Sequence, residues 1–242
     1  SAHYDTCAQL PFPNFITPKN IFLSVLYSIL LIVPFFVGVM LINFLLGMFT
    51  YNYWIHYFVS VIFYFGLLFW VFGGRANKHN ANDNTSGVIT LLEMLDQMSA
   101  EDLEKTAIVL FDNEEIGLLG SGLFRKKYKE QMQNKLLVNF DCVSDGDYLM
   151  LILNKKAFPE HFESLKAAFA DVTEKTVLIE SEKGVYYPSD QKNFKKNIGV
   201  ASFKKSKFGL YMDRIHTPRD TVFDERNIEV LTDGIRKFLG MI

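Results

Sequence analysis

Residues 106–121 read TAIVLFDNEEIGLLGS. The opening run, apolar with no polar alternation, is the pattern of a strand covered on both faces. Asp112, Asn113, Glu114 and Glu115 follow at its end, and 121–132 is predicted to be a helix with a basic solvent face. Strand, acidic loop, helix is the repeating unit of an α/β fold, whose sites lie in the loops after strands. Working outward, further strands are expected at 135–143, 148–153, 176–180 and 200–203, and helices at 159–170, 189–196 and 225–242. The last should turn Ile228, Leu231, Ile235, Phe238 and Leu239 inward. Upstream, 84–98 carries Val88, Leu91, Leu92, Leu95 and Met98 at helical spacing. The alternation predicts an α/β three-layer sandwich around a mostly parallel mixed sheet.

The 242 residues carry 25 basic and 27 acidic side chains, net charge −2. None of these charges falls in the 55 residues between Lys19 and Arg75, where His56 is the sole titrating imidazole, so the other 187 carry them all. Two apolar runs fill that gap, 21–49 and 54–72, separated by Thr50, Tyr51, Asn52 and Tyr53. About 20 apolar residues suffice to cross a hydrocarbon core, so residues 20–74 read as an inserted transmembrane helical hairpin touching the lipid bilayer. Pro34, Gly38 and Asn43 are tolerable inside a bilayer helix. Tyr51, Tyr53, Trp54 and Tyr57 at the turn and Trp70 near the far end suit the two interfaces. The alternative is a hairpin buried in a large soluble core. With 20–74 as the inserted hairpin, residues 1–19 and 75–242 form the other domain.

Lys19, Arg75 and Lys78 flank the hairpin, and its tip is uncharged. That bias predicts an integral membrane protein with the 1–19 and 75–242 domain cytoplasmic and the tip outside. Residues 1–9 contain His3 and Asp5 rather than an apolar run, so no cleavable leader is expected there. A near-neutral charge with no basic stripe excludes a nucleic-acid partner. Cys7 and Cys142 are too few for a disulfide framework and read as small buried hydrophobes.

Five short segments hold imidazole and acidic groups beside apolar strands: His3-Tyr4-Asp5, Asn82-Asp83-Asn84, 112–115, Asn139-Phe140-Asp141 and the segment from His216 to Asp220. Convergence at one sheet edge would give two histidines with three or four carboxylates, a donor set for a divalent metal, zinc by preference. Two zinc ions, three ligating carboxylates and a bridging hydroxide would balance to neutrality. Gly87, Gly117, Gly120 and Gly122 are read as structural.

The order HYD, NDNTSG, FDNEEIGLLGS, NFD and HTPRDT resembles the co-catalytic zinc aminopeptidases of metallopeptidase family 28, over residues 1–6 and about 80–242. The resemblance implies a phosphorylase/zinc-peptidase-like fold and an enzyme hydrolysing the N-terminal bond of peptides with a free N-terminus. It makes His3, Asp83 and Asp141 ligands of one Zn2+, and Asp83, Glu115 and His216 ligands of the other, with Asp83 bridging. Glu114 would be the general base and Asp5 the partner orienting the His3 ring. Two departures stand out. Gln191 occupies the place of a histidine in Ser189-Asp190-Gln191, and the family's strands before the first His are not in this sequence, so the sheet is expected to be incomplete. A glutaminyl cyclase, with one zinc, and a catalytically inactive membrane receptor or scaffold are the competing readings.

Overall fold

The computed structural model describes residues 1–241. Strand β4 (Tyr148–Leu153) shows how the sequence builds the body: Leu149, Leu151 and Leu153 face one side, Met150 and Ile152 the other, and all five are buried. Around it lie β3 (Leu137–Phe140), β5 (Thr176–Ser181) and β6 (Asn197–Ser206), in the spatial order β3-β6-β4-β5. The β3/β6 and β4/β5 pairs are parallel and β4/β6 antiparallel, while β7 (Gly209–Tyr211) folds back on β6. Two short strands, β1 (Ala2–His3) and β2 (Leu110–Phe111), pair in parallel. The Phe140 N–H donates to the Ser1 carbonyl at 2.8 Å, which continues the sheet from β3 into β1. The fold is therefore mixed α/β with a mostly parallel sheet, as expected.

Helices α3 (Gly87–Gln97), α6 (Phe158–Ala168) and α7 (Glu225–Leu239) cover one face, contributing Leu91, Leu165, Leu231 and Phe238 to the main apolar cluster. Helix α7 buries Ile228, Leu231, Ile235 and Phe238 as its periodicity predicts; Ile242 lies outside the described residues. Gly234 in α7 lies against Phe169, whose ring would be 2.1 Å from any Cβ added there. The opposite face is covered by α5 (Leu119–Lys127), a 3-10 turn at Asp190–Asn193, and irregular segments carrying Tyr187, Met212 and Ile215.

Three expectations need correction. Helix α3 starts at Gly87, because a π-type turn (Ala81–Ser86) precedes it, and its buried stripe is Gly87, Thr90, Leu91 and Met94. Leu92 and Leu95 are exposed, since the i, i+3, i+4, i+7 row that meets the sheet starts one residue before Val88. Strand β6 extends well beyond 200–203, and β7 and the short helix α4 (Ala100–Lys105) are additional, β7 being three residues long and α4 too polar to show an apolar period.

Helices α1 (Ile21–Gly47) and α2 (Tyr53–Phe72) form the hairpin and have 27 and 20 residues, about 40 and 30 Å at 1.5 Å per residue. Both are long and apolar enough to cross a membrane, and none of either apolar window is buried, whereas a hairpin packed into this chain's own core would be. Their polar groups satisfy one another: the Asn43 Nδ2 donates to Ser60 Oγ at 2.7 Å, and its Oδ1 lies 2.8 Å from His56 Nδ1.

Candidate metal and catalytic site

The carboxyl ends of β1, β2 and β3 meet at one edge of the sheet, and all five predicted segments come together there. His3, at the end of β1, is buried, with Nε2 3.2 Å from Asp83 Oδ1 and 3.4 Å from Asp141 Oδ1. His216 Nε2 lies 2.9 Å from Asp83 Oδ2 and 3.1 Å from Glu115 Oε2. The two oxygens of Asp83 are thus divided between the two imidazoles.

Local sequence explains why Asp83 sits there. Asn82 and Asn84, on either side of it, clamp the turn to the chain leaving β3. Asn84 Nδ2 donates to the Phe140 carbonyl at 3.0 Å, and its Oδ1 accepts from the N–H groups of Gly87 and Cys142 at 3.1 and 3.2 Å. Asn82 Oδ1 accepts from Ser144 and Asp145 N–H at 2.7 and 3.0 Å. Asp220, from the HTPRDT segment, accepts the N–H of Asn82 at 2.8 Å and that of Asp83 at 3.0 Å. Gly87 is required by contact: a Cβ there would lie 2.4 Å from the Phe140 carbonyl oxygen. The Asp83–Asn84 peptide is cis.

Asp5 accepts the N–H groups of Glu114 and Glu115 at 3.1 and 3.2 Å, tying the end of β1 to the acidic loop. The His3 Nδ1 faces Asp5 as expected, but its nearest acceptor is the Asp5 main-chain carbonyl at 3.1 Å, with the carboxylate at 3.4 Å. The Glu114 carboxylate lines the same cavity and accepts no hydrogen bond among the described residues. Burial, together with the charges of Asp141, Asp83 and Glu115, pushes its carboxyl up to about 9 against the opposing pull of His3. Burial works against protonation of His3, yet hydrogen bonds to Asp141, Asp5 and Asp83 hold its pKa well above the ordinary value. His216 is raised likewise, chiefly through Asp83 after burial is overcome.

Two residue groups could each hold a metal ion, His3-Asp83-Asp141 and Cys7-Glu115-His216, the donor atoms of each lying within 4.8 Å of one another. Donors held tetrahedrally by one zinc ion at about 2.0–2.3 Å stand about 3.3–3.8 Å apart, close to the 3.2 and 3.4 Å from His3 Nε2 to Asp83 and Asp141 and the 3.1 Å from His216 Nε2 to Glu115. Imidazole nitrogen with carboxylate oxygen is a borderline-metal donor set, and the excess of buried carboxylates calls for a cation. The residues fit the metal.

Sequence reasoning missed three neighbours. Cys7, expected as a small buried hydrophobe, is half-buried and joins Glu115 and His216, because its own N–H donates to Glu115 Oε1 at 2.9 Å and draws the chain over the site. The Asn14 amide lies 3.0 Å from His216 Nδ1. Asp220 stands out in the sequence only as part of the HTPRDT motif. Gln191 is buried in a structural network, donating to the Tyr187 carbonyl and accepting from Asn139 at 2.9 and 3.1 Å.

A cavity of about 250 Å³ opens beside these groups, lined among others by Glu114, Tyr186, Tyr187 and Ile215.

No curated protein matches the chain. Among solved structures, nine chains match; an aminopeptidase from Aneurinibacillus sp. strain AM-1 aligns at 20% identity with a TM-score of 0.48, over 66% of this chain and 39% of that one. The chain therefore spans well under half the length of that structure. The model of Peptidase family M28 matches residues 71–239, a span that includes Asp83, Glu114, Glu115, Asp141 and His216 but begins after His3 and Asp5. That match covers more than half of the sequence, and the chain belongs to peptidase family M28.

Proposed function

We propose that this peptidase is a membrane-tethered, two-zinc aminopeptidase, with residues 1–19 and 75–242 as its catalytic domain and 20–74 as its anchor. The observation that carries the reading is the division of the Asp83 carboxylate between His3 Nε2 and His216 Nε2, at 3.2 and 2.9 Å. Such a carboxylate is suited to bridge two cations. His3, Asp83 and Asp141 would hold one, and Asp83, Glu115 and His216 the other, with the Cys7 thiol as a further donor on the second side. Bound there, a zinc pair would supply Lewis acidity and bring the pKa of water toward 7.

The chain's own groups do the rest. Glu114 has the cavity position and the freedom from partners that a general base needs; it takes a proton from the attacking water and returns it to the departing amine. Positive charge opposite Asp83 and Asp141 would bring its carboxyl down from about 9 into the ionised form at neutral pH. Asp5 holds the Glu114 and Glu115 main chain and the His3 ring in register. Asn14 Nδ2 lies 3.0 Å from His216 Nδ1; with Nε2 serving as a metal donor, Nδ1 would carry the ring proton, and the Asn14 amide would turn its oxygen to accept it. The free N-terminus of the substrate follows from the likeness of 111–121 to family aminopeptidases. The charge bias of Lys19, Arg75 and Lys78 supports a cytoplasmic catalytic domain.

The test pairs two substitutions in the full-length protein. Glu114→Gln should lower turnover of an aminoacyl-nitroanilide by about 10² to 10⁴ while zinc content holds, the usual loss for a positioned acid–base group. Glu115→Gln should lose metal. Retained activity in Glu114→Gln, or retained zinc in Glu115→Gln, would overturn the roles. Cyclisation of a Gln-peptide in place of hydrolysis would favour the cyclase.

A further inference from the structure

Part of the cavity wall, beside Tyr186, Tyr187, Pro188 and Ile215 of the α/β body, is not made by that body. It comes from the chain leading into the anchor: Asn14, Phe15 and Ile16 of the linker, and Ser24 of α1 itself. Ser24 is the fourth residue of a helix that starts at Ile21. At 1.5 Å per residue it stands about 5 Å along the spanning helix, within the interfacial layer, itself about 5–7 Å thick on each side of the hydrocarbon.

This linker is fixed in place. Ile16 and Met212 exchange both main-chain hydrogen bonds at 2.9 Å, and the Tyr186 N–H donates to the Pro18 carbonyl at 2.8 Å. The Tyr27 hydroxyl of α1 reaches back to the Pro13 carbonyl at 2.6 Å, and Thr17 is bonded to Ser24 through both its N–H and its hydroxyl. At the other end of the hairpin, Gln9 N–H donates to the Arg75 carbonyl and Leu10 N–H to the His216 carbonyl, both at 2.8 Å. Aromatic pairs Phe12–Trp70 and Phe15–Tyr27, with ring centres 5.6 and 5.5 Å apart, mark the level where such rings meet headgroups. Membrane anchor and catalytic cavity are therefore one construction, and the height of the cavity over the bilayer is set by these contacts rather than by a flexible tether.

We propose that the cavity works at the membrane surface and takes peptides presented by the bilayer, with a free N-terminus only a few residues from a membrane-inserted or lipid-linked anchor. The inference rests on the reading of this chain as a membrane-anchored peptidase. An extended chain covers about 3.3 Å per residue, so two to three residues suffice to lift an N-terminus through the interfacial layer into the cavity. A peptidase whose cavity stood about 25 Å above the bilayer would need about eight.

The test uses the zinc-loaded full chain reconstituted in lipid vesicles, with reporter peptides whose C-terminus is joined to an anchor through Gly-Ser spacers of about three to twelve residues. All anchored peptides share one surface density, so spacer length is the one variable. The expected result is cleavage at the shortest spacers and a rate falling about eightfold from three to twelve residues, following the −3/2 power of spacer length. A rate that rises with spacer length, or is zero below about eight residues, overturns the proposal. Running both an acyl anchor and a transmembrane anchor supports it if either is cleaved and identifies the source of the substrate. Two controls separate a failure of the underlying reading: no release from any peptide, anchored or soluble, means the chain is not this peptidase, and extraction of the protein from vesicles by alkaline carbonate means the hairpin does not span. Either removes the basis of the proposal.

Discussion

Asp220→Ala should loosen the metal site without touching a metal donor. Asp220 is 1% exposed, and its carboxylate accepts from Asn82 N–H at 2.8 Å and Asp83 N–H at 3.0 Å. Its main chain makes separate contacts, Ala81 N–H donating to its carbonyl at 3.2 Å, which alanine keeps. The substitution therefore removes two hydrogen bonds to a charged acceptor and leaves two buried donors without partners. Each such bond contributes about 1.5–3 kcal/mol net. Burial lifts the Asp220 carboxyl to about 6, so deleting it also relieves an unfavourable burial. The low end of the range, about 3 kcal/mol in all, is expected. Loss of a group that supports a ligand typically lowers metal affinity about 10- to 100-fold, and Asp83 is shared by both ions, so both should weaken together. Asp220→Asn, which keeps one acceptor, should fall between the two. Competition against a chromophoric zinc chelator gives the affinity, and the thermal midpoint of the metal-free protein gives the stability. Unchanged zinc affinity in Asp220→Ala would refute the claim that this residue positions Asp83.

Gly87→Ala should act through contact alone, since its φ and ψ of −64° and −40° are ordinary for any residue while a Cβ would lie 2.4 Å from the Phe140 carbonyl oxygen. A cost of about 1–3 kcal/mol with weakened zinc binding is expected in denaturation and chelator assays, and wild-type behaviour would show that the contact can relax. The metal-free protein should lose stability as pH rises: folded Glu114 keeps its proton from 4.5 to about 9, and His3 and His216 keep theirs above 6.5. The native state thus binds more protons than the unfolded chain over that window, and stability falls with pH. Zinc should abolish the slope, and thermal melts from about pH 6.5 to 9 with and without zinc would reveal a slope of the wrong sign. For topology, a single cysteine at Asn52 in a cysteine-free background should react with an impermeant maleimide on intact cells; labelling at an exposed residue of α5 instead would invert the orientation.

Much of this was legible because it is local. An apolar run with no charge from Lys19 to Arg75 announces the hairpin, and the inward row of α7 announces a covered sheet. Glu114, Glu115 and Asp141 were legible because they follow the apolar runs of β2 and β3, and Asp83 because it precedes the apolar row of α3. What was hidden depends on long-range geometry. Nothing near Cys7 signals that a backbone bond to Glu115, 108 residues away, will carry its thiol to the site. Asn14 belongs by sequence to a linker, and only the fold sets its amide beside His216. The one-residue error in the buried face of α3 arose because Leu92 and Leu95 are apolar yet exposed, so composition pointed to the wrong stripe.

The most direct test of the central claim is the zinc content of the full-length protein purified without chelator and equilibrated with excess zinc, read by elemental analysis per chain. Two ions per chain are predicted for the wild type, falling below two in Asp83→Ala because both donor groups share that carboxylate. A wild-type stoichiometry that never exceeds one would contradict the two-metal site.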